Sequence, residues 1–171
     1  AHSGAGTLQL TTNNLTVTSD FANSAGTFDL NGLSWTMTSA AFSNAGTIKL
    51  QGIETITDLT QDASNGTWTY VGRNIAENIS ITYFSGADYN NLIINDTNTN
   101  KATFQNSAGL SINGTFTISS GTYDANGQTT AVGGLTTVEG GTYSASTAAQ
   151  NFTGSLTISC GTFTRSSGQV A

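Results

Sequence analysis

The sequence predicts an all-β chain coiled into a parallel β-helix, a β-solenoid of about eight rungs of ~20 residues with no capping helix. Three observations lead there. Gly-Thr followed by a large apolar residue returns every 20 residues, at Gly6-Thr7-Leu8, Gly26-Thr27-Phe28, Gly46-Thr47-Ile48 and Gly66-Thr67-Trp68. It resumes at Gly121-Thr122-Tyr123, Gly141-Thr142-Tyr143 and Gly161-Thr162-Phe163. A fixed period of that length, built from short strand-like runs, marks a solenoid in which each repeat is one coil stacked on the last. Within the repeats, apolar residues alternate with Thr, Ser and Asn, the period of a strand with one buried face. Finally, 171 residues hold 31 Thr and 20 Gly, no Pro and only 8% charged residues. The β-branched and aromatic residues stand in register, which separates the chain from a disordered polar one.

The chain reads as a single domain, 1–171, with regular coils over 1–70 and 101–171 and an irregular segment over 71–100. In the first part, Leu8, Phe28, Ile48 and Trp68 form one inward column and Leu10, Leu30, Leu50 and Tyr70 the next. Between them lies an outward column of Gln9, Asp29, Lys49 and Thr69, because residues two apart on a strand share a face. Asp29 and Lys49 become vertical neighbours, an exposed ion pair worth ~0.5 kcal/mol. In the last part, Phe116, Thr136 and Leu156 point inward with Ile118, Val138 and Ile158, and the Thr117, Thr137, Thr157 column points out. Each rung has three short sides, such as 121–127, 128–134 and 135–140, joined at Gly and Asn residues that reach positive φ at little cost. The count breaks between Gly66 and Gly121, which are 55 residues apart, so about five residues are missing or fifteen added. Strands are expected to continue there around an irregular loop or a changed cross-section.

Composition excludes several functions. The net charge is −6, with Lys49, Lys101, Arg73 and Arg165 the only cations besides the terminus and His2. Nucleic acid needs a cationic face to displace its counterions, and an anionic membrane surface needs one too. No apolar run approaches the ~20 residues that span a bilayer. One cysteine, Cys160, allows no internal disulfide and no zinc cluster. It lies in the column of Ser120 and Gly140, a corner that takes a small residue; an intermolecular disulfide is the alternative. The chain starts at Ala1 without a signal-like apolar stretch, which reads as a mature or excised piece of an exported protein.

No catalytic or metal-ligating set emerges, and no cofactor is expected. His2 is the sole histidine, so Ser-His-Asp chemistry and a histidine metal site are excluded. Glu54, Asp58 and Asp62 form one group of carboxylates, and Glu77, Asp88 and Asp96 could converge in the irregular segment. Paired acids serve glycoside hydrolysis, but without a reinforcing column these read as solvated surface. Asp88, Asp96 and Asn oxygens could attract Ca²⁺ weakly, yet no Gly-Gly-x-Gly-x-Asp run occurs. Asn-x-Ser/Thr sequons at Asn14, Asn65, Asn78, Asn95, Asn113 and Asn151 follow from the abundance of both residue types. Thr16-Val17-Thr18 and Thr36-Met37-Thr38 are one period apart, with Thr55-Ile56-Thr57 one residue late. Two Thr per rung resembles the ice-binding β-solenoids, though a half-buried strand has the same alternation.

Stretches such as Tyr89-Asn90-Asn91-Leu92-Ile93-Ile94-Asn95, 110–118 and 155–163 resemble the repeats of large bacterial surface proteins. These are the adhesin, autotransporter-passenger and filamentous-haemagglutinin-like β-solenoids. The resemblance covers most of the chain and is one of pattern. It implies a right-handed coil, export to the cell surface, and a role as stalk, adhesin or fibre, and it carries over no binding residues. The expected function is therefore structural, not enzymatic. The chain is read as a module of an extracellular filament or stalk, joined head to tail to further copies or to more solenoid through open ends. Leu8 and Leu10 at one end, and Phe163 and Val170 at the other, are the expected assembly residues. Two alternatives stand beside it: a glycan or cell-surface binder using Tyr83, Phe84, Tyr89 and Asn90, and an ice binder.

Overall fold

In the computed structural model, residues 1–38, 41–84 and 87–171 are described. They contain 21 strands, all pairing in parallel, and no helix. The chain is a β-solenoid of eight turns. One side is a single sheet of eight strands: Thr7–Gln9, Thr27–Asp29, Thr47–Leu50, Thr67–Tyr70, Asn91–Asn95, Phe116–Ser120, Thr136–Val138 and Leu156–Ile158. The side that follows it carries Leu15–Val17, Trp35–Met37 and Ile56–Thr57 early in the chain. Later it carries Asn78–Ser80, Thr103–Gln105, Thr122–Asp124, Thr142–Ser144 and Thr162–Thr164. The third side holds Phe21–Asn23 and Phe42–Asn44, then Leu110–Ile112, Thr130–Val132 and Gln150–Phe152.

The expected inward columns form as read, and they join across the whole rod. Leu8, Phe28, Ile48, Trp68, Leu92, Phe116, Thr136 and Leu156 stack in one register. Leu50, Tyr70, Ile94, Ile118, Val138 and Ile158 stack in the next. From Phe28 to Phe116 the first column is fully buried, and each such side chain stabilises the fold by ~1.5–3 kcal/mol relative to exposure. Thr136 is the polar break in the column; it is buried and its hydroxyl has no partner. Asp29 and Lys49 are vertical neighbours as expected, with Lys49 Nζ 2.9 Å from Asp29 Oδ2. The pair is less exposed than anticipated. Asp29 is 3% exposed, because Gln9 Nε2 covers the same oxygen from the turn below at 2.9 Å.

The Gly-Thr motif does not resume in its original column. Early in the chain it leads into the eight-stranded side, with Thr7, Thr27, Thr47 and Thr67 paired in sequence. Later, Thr122, Thr142 and Thr162 pair on the following side instead. Thr67 pairs with Asn91 and Leu92 with Phe116, so two turns take 24 residues each. These supply eight of the fifteen extra residues. The other seven lead from Thr115 to Thr122, one side of the triangle.

The unit of the first turn recurs in the later turns, although the second turn has five and four residues at Met37–Phe42 and Asn44–Ile48 where the first has four and five. Counted from its Gly-Thr side, inward positions across successive corners are five, four and five residues apart at Leu10–Leu15, Val17–Phe21 and Asn23–Phe28. They are the same at Ala125–Thr130, Val132–Thr136 and Val138–Tyr143. The corner chemistry is copied too. Asp29 Oδ1 accepts from Asn31 N at 2.9 Å, and Asn31 Nδ2 donates to Leu10 O at 3.1 Å. Asp124 Oδ1 accepts from Asn126 N at 2.8 Å, and Asn126 Nδ2 donates to Asn106 O at 3.0 Å. Gln105 Nε2 sits on Asp124 Oδ2 as Gln9 does on Asp29. Both Asn-Gly pairs lie at positive φ, 50° and 80° against 47° and 77°, the geometry this tight turn demands. The motif glycine is equally constrained in both halves. A Cβ on Gly46 or Gly141 would lie 2.6 Å from the carbonyl oxygen of the motif glycine one turn below. The repeat is thus rotated by one side, a third of a turn, between the two halves of the rod.

Candidate functional site

The first region of interest is the pair of open ends. In the first turn Leu8 is 43% exposed and Leu10 partly buried. In the last turn Val170 is 39% exposed and Phe163 partly buried against Tyr143, with ring centroids 5.0 Å apart. All four expected residues are therefore terminal members of inward stacks. Sequence reading missed a fifth, Ile158, at 48% exposure. Its membership of the Ile118–Val138–Ile158 column was the available signal. Arg165 was also missed. It takes the inward position of Ala125 and Ala145, of which Ala125 is fully buried.

The second region is the irregular segment, where two loops on adjacent turns leave the same corner. Residues 71–77 lie beneath 96–102 and are tied to them. Asn98 Nδ2 donates to Val71 O at 2.9 Å, Asn100 N to Asn74 Oδ1 at 3.0 Å, and Thr103 N to Glu77 O at 2.8 Å. Asp96 closes the upper loop. Its Oδ1 accepts from Asn98 N and Nδ2 at 3.0 and 2.7 Å, and its Oδ2 from Ala102 N at 2.8 Å. Arg73 clamps Glu77 with both Nε and Nη2, at 2.7 and 2.9 Å, and this bond holds the Glu77 carboxyl below its ordinary value.

The aromatic residues of this segment turn inward. Tyr89 is fully buried, so it presents no ring to a ligand, contrary to its expected place among the binding residues. Its hydroxyl lies 3.0 Å from that of Tyr70. Phe84 packs on Trp68 and Tyr89, with centroids 5.2 and 5.7 Å away. The Tyr83 hydroxyl accepts from Ser107 N at 3.1 Å, and Asn90 Nδ2 donates to Gly66 O at 3.4 Å. These four rebuild the missing third side of the fourth turn around the core.

Burial raises the hydroxyl pKa of Tyr70, Tyr89, Tyr123 and Tyr143 above the ordinary tyrosine value, and partial burial puts Tyr83 at about 12. The fold favours the neutral ring, so stability is complete below the unfolded-chain value near ~10 and falls as pH rises through the folded values. A spectrophotometric titration should therefore show none of the five tyrosines ionising near pH ~10 in the folded rod, and ionisation should coincide with loss of β-sheet circular dichroism. Reversible ionisation near that pH with the β signal intact would contradict the buried placement.

The two carboxylate groups named in the sequence do not converge on a reaction centre. Glu54 accepts from Gly32 N, Gln51 N and Gly52 N at 2.8, 2.8 and 2.6 Å. Asp62 accepts from Asn44 N at 3.1 Å. Asp88 accepts from Phe84 N and Ser111 N at 2.9 Å each, while desolvation raises its pKa. Glu54, Asp62 and Asp88 are fasteners between stacked turns, whereas Asp96 closes its own loop. The Thr array is narrower than a two-column surface. Thr16, Thr36 and Thr57 pair in one column, and Thr36 Oγ1 lies 2.9 Å from Thr57 Oγ1. The one-residue slip then leaves Thr38 without a Thr above it. Cys160 is exposed and free.

Fold and ends together define a three-sided parallel β-solenoid with exposed apolar column ends. Compared with known proteins, the chain matches no family model, no curated protein and no solved structure.

Proposed function

We propose that the chain is a structural module of an extracellular stalk or fibre, one segment of a rod that continues by stacking solenoid turn on solenoid turn. The supporting observation is that two inward columns run the full length and finish exposed, at Leu8 on one face and Ile158 on the other. Backbone ladders along the axis resist extension, and the apolar columns set the register. The wall of Thr, Ser and Asn needs few charges to stay hydrated, which suits a cell surface. Binding of glycan through Tyr83, Phe84, Tyr89 and Asn90 has less support, since these residues build the core and corner of the fourth turn.

Electron microscopy across a tenfold concentration range tests this. Eight turns at the inter-strand spacing give a rod ~38 Å long, and filaments with that axial rise are expected. Leu8→Asp combined with Ile158→Asp should leave the melting temperature within a few degrees and abolish filaments, because both residues lie at exposed ends. Discrete rods at every concentration in the parent protein, or filaments undiminished in the double variant, would refute end stacking.

A further inference from the structure

We propose that Asn65 is a site of spontaneous covalent modification, where attack by the Gly66 backbone nitrogen converts the side-chain amide into aspartyl and isoaspartyl linkages. Four Asn-Gly pairs occur in the chain: Asn31-Gly32, Asn65-Gly66, Asn113-Gly114 and Asn126-Gly127. Glycine has no side chain to screen its nitrogen, so the four are comparably reactive in an unfolded chain. The fold separates them.

Three pairs are held by hydrogen bonds. Asn31 Nδ2 donates to Leu10 O at 3.1 Å while Gly32 N donates to Glu54 Oε1 at 2.8 Å. Asn113 Nδ2 donates to Ala63 O at 3.0 Å while Gly114 N donates to Asn90 O at 2.8 Å. Asn126 Nδ2 donates to Asn106 O at 3.0 Å, and Asn126 N donates to Asp124 Oδ1 at 2.8 Å. Each must give up fastenings between turns before it can react. Asn65 differs. It is exposed and lies outside every strand, in the corner before Thr67–Tyr70. Neither its side chain nor Gly66 N has a hydrogen-bond partner among the described residues.

The reaction needs only water and hydroxide. As hydroxide takes the Gly66 N–H proton, the nitrogen bonds to Asn65 Cγ, and the Cγ–Nδ2 bond breaks with loss of ammonia. Water then opens the resulting five-membered succinimide. Cleavage of the N–Cγ bond gives an ordinary aspartyl peptide. Cleavage between the nitrogen and the main-chain carbonyl carbon of residue 65 instead routes the backbone through the side chain. Either product adds one carboxylate to a chain of net charge −6. The isoaspartyl form also lengthens the backbone by a methylene, and the turn below leaves no space for it: a Cβ on Gly66 would lie 2.5 Å from Asn44 O. The Gly66 carbonyl oxygen accepts from Asn91 N at 3.3 Å and from Asn91 Nδ2 at 3.1 Å. The change therefore reaches the link between the fourth turn and the fifth.

Tryptic mapping tests the assignment. Asn65 is the sole asparagine of peptide 50–73, whereas Asn31 falls in 1–49 and Asn113 and Asn126 in 102–165, where fragmentation assigns the residue. The folded protein is held at mildly alkaline pH beside the same chain in urea. Peptide 50–73 should gain about 1 Da, in aspartyl and isoaspartyl forms, at a rate within about threefold of the unfolded chain. Folding should slow Asn31, Asn113 and Asn126 by at least about tenfold each. Asn65→Ser should keep its β-sheet circular dichroism and leave peptide 50–73 unchanged in mass with time. Protection of Asn65 as strong as that of the other three, or reaction at any of them as fast as at Asn65, overturns the assignment. An aspartyl product without the isoaspartyl form overturns attack by Gly66 N, since direct hydrolysis of the side chain yields aspartate alone. In the isoaspartyl form the Asn91 amide should exchange hydrogen faster, and unchanged exchange there overturns the reach into the fifth turn.

Discussion

Trp68→Ala is expected to lower the free energy of unfolding by about 4 kcal/mol, the upper range for deleting a buried aromatic. Trp68 is fully buried between Ile48 and Leu92 in the continuous column. Its ring touches three others, Phe42, Phe84 and Tyr89, at centroid distances of 6.2, 5.2 and 5.9 Å. It therefore couples the last regular turn to the segment that rebuilds the core before the repeat changes phase. In a solenoid each turn contacts only its neighbours, so a cavity here weakens the one interface joining the two halves. A urea midpoint lower by about 2 M is expected, together with separate transitions for the two halves. Trp68→Phe is the control. The indole nitrogen has no partner in the fold, so phenylalanine loses no hydrogen bond and should cost under about 1.5 kcal/mol. A loss under about 1 kcal/mol for the alanine variant would mean that the column is not continuous through this turn.

Asp96→Ala is expected to cost about 3 kcal/mol, because it strands the buried Ala102 amide and two part-buried donors of Asn98. The carboxylate is fully buried and accepts three hydrogen bonds from Asn98 and Ala102. Asn cannot replace it without loss: its amide group would turn a donor toward one of those N–H groups, so Asp96→Asn should cost about half as much. Glu cannot fit, since Gly72 and Gly121 both pack against the Asp96 side chain. Hydrogen exchange at the Asn98 and Ala102 amides gives the local readout. Both should lose protection in Asp96→Ala while the amides of the Thr142–Ser144 strand keep theirs. Unchanged protection at Ala102 would remove Asp96 as the closure of the loop.

The eight turns, the inward columns and the three-sided rung were legible because a solenoid repeats its own environment. A residue in one coil meets its counterpart in the next, so column chemistry survives in the bare sequence. Leu8 and Val170 were recognisable as end residues for the same reason. Tyr89 was misjudged because an aromatic residue in an irregular segment has no column to show which way it faces. Its burial depends on Tyr70 across the core of the same turn and on Ser111 one turn above, contacts that no local pattern encodes. The Asp29–Lys49 pair was legible as a contact, but the burial of its carboxylate was not, since Gln9 closes over Asp29 from another turn.

Sequence alone determined the period, the parallel stacking and the identity of the unit, because strand alternation and glycine corners are local and recur in every copy. The tertiary structure decided where each unit faces. Gly-Thr marks a kind of corner, not a particular side, and the three sides are close enough in length to exchange places. Which side receives the motif depends on how many residues the loops at 71–77 and 96–102 take up. That number becomes meaningful only once the strands on either side have paired.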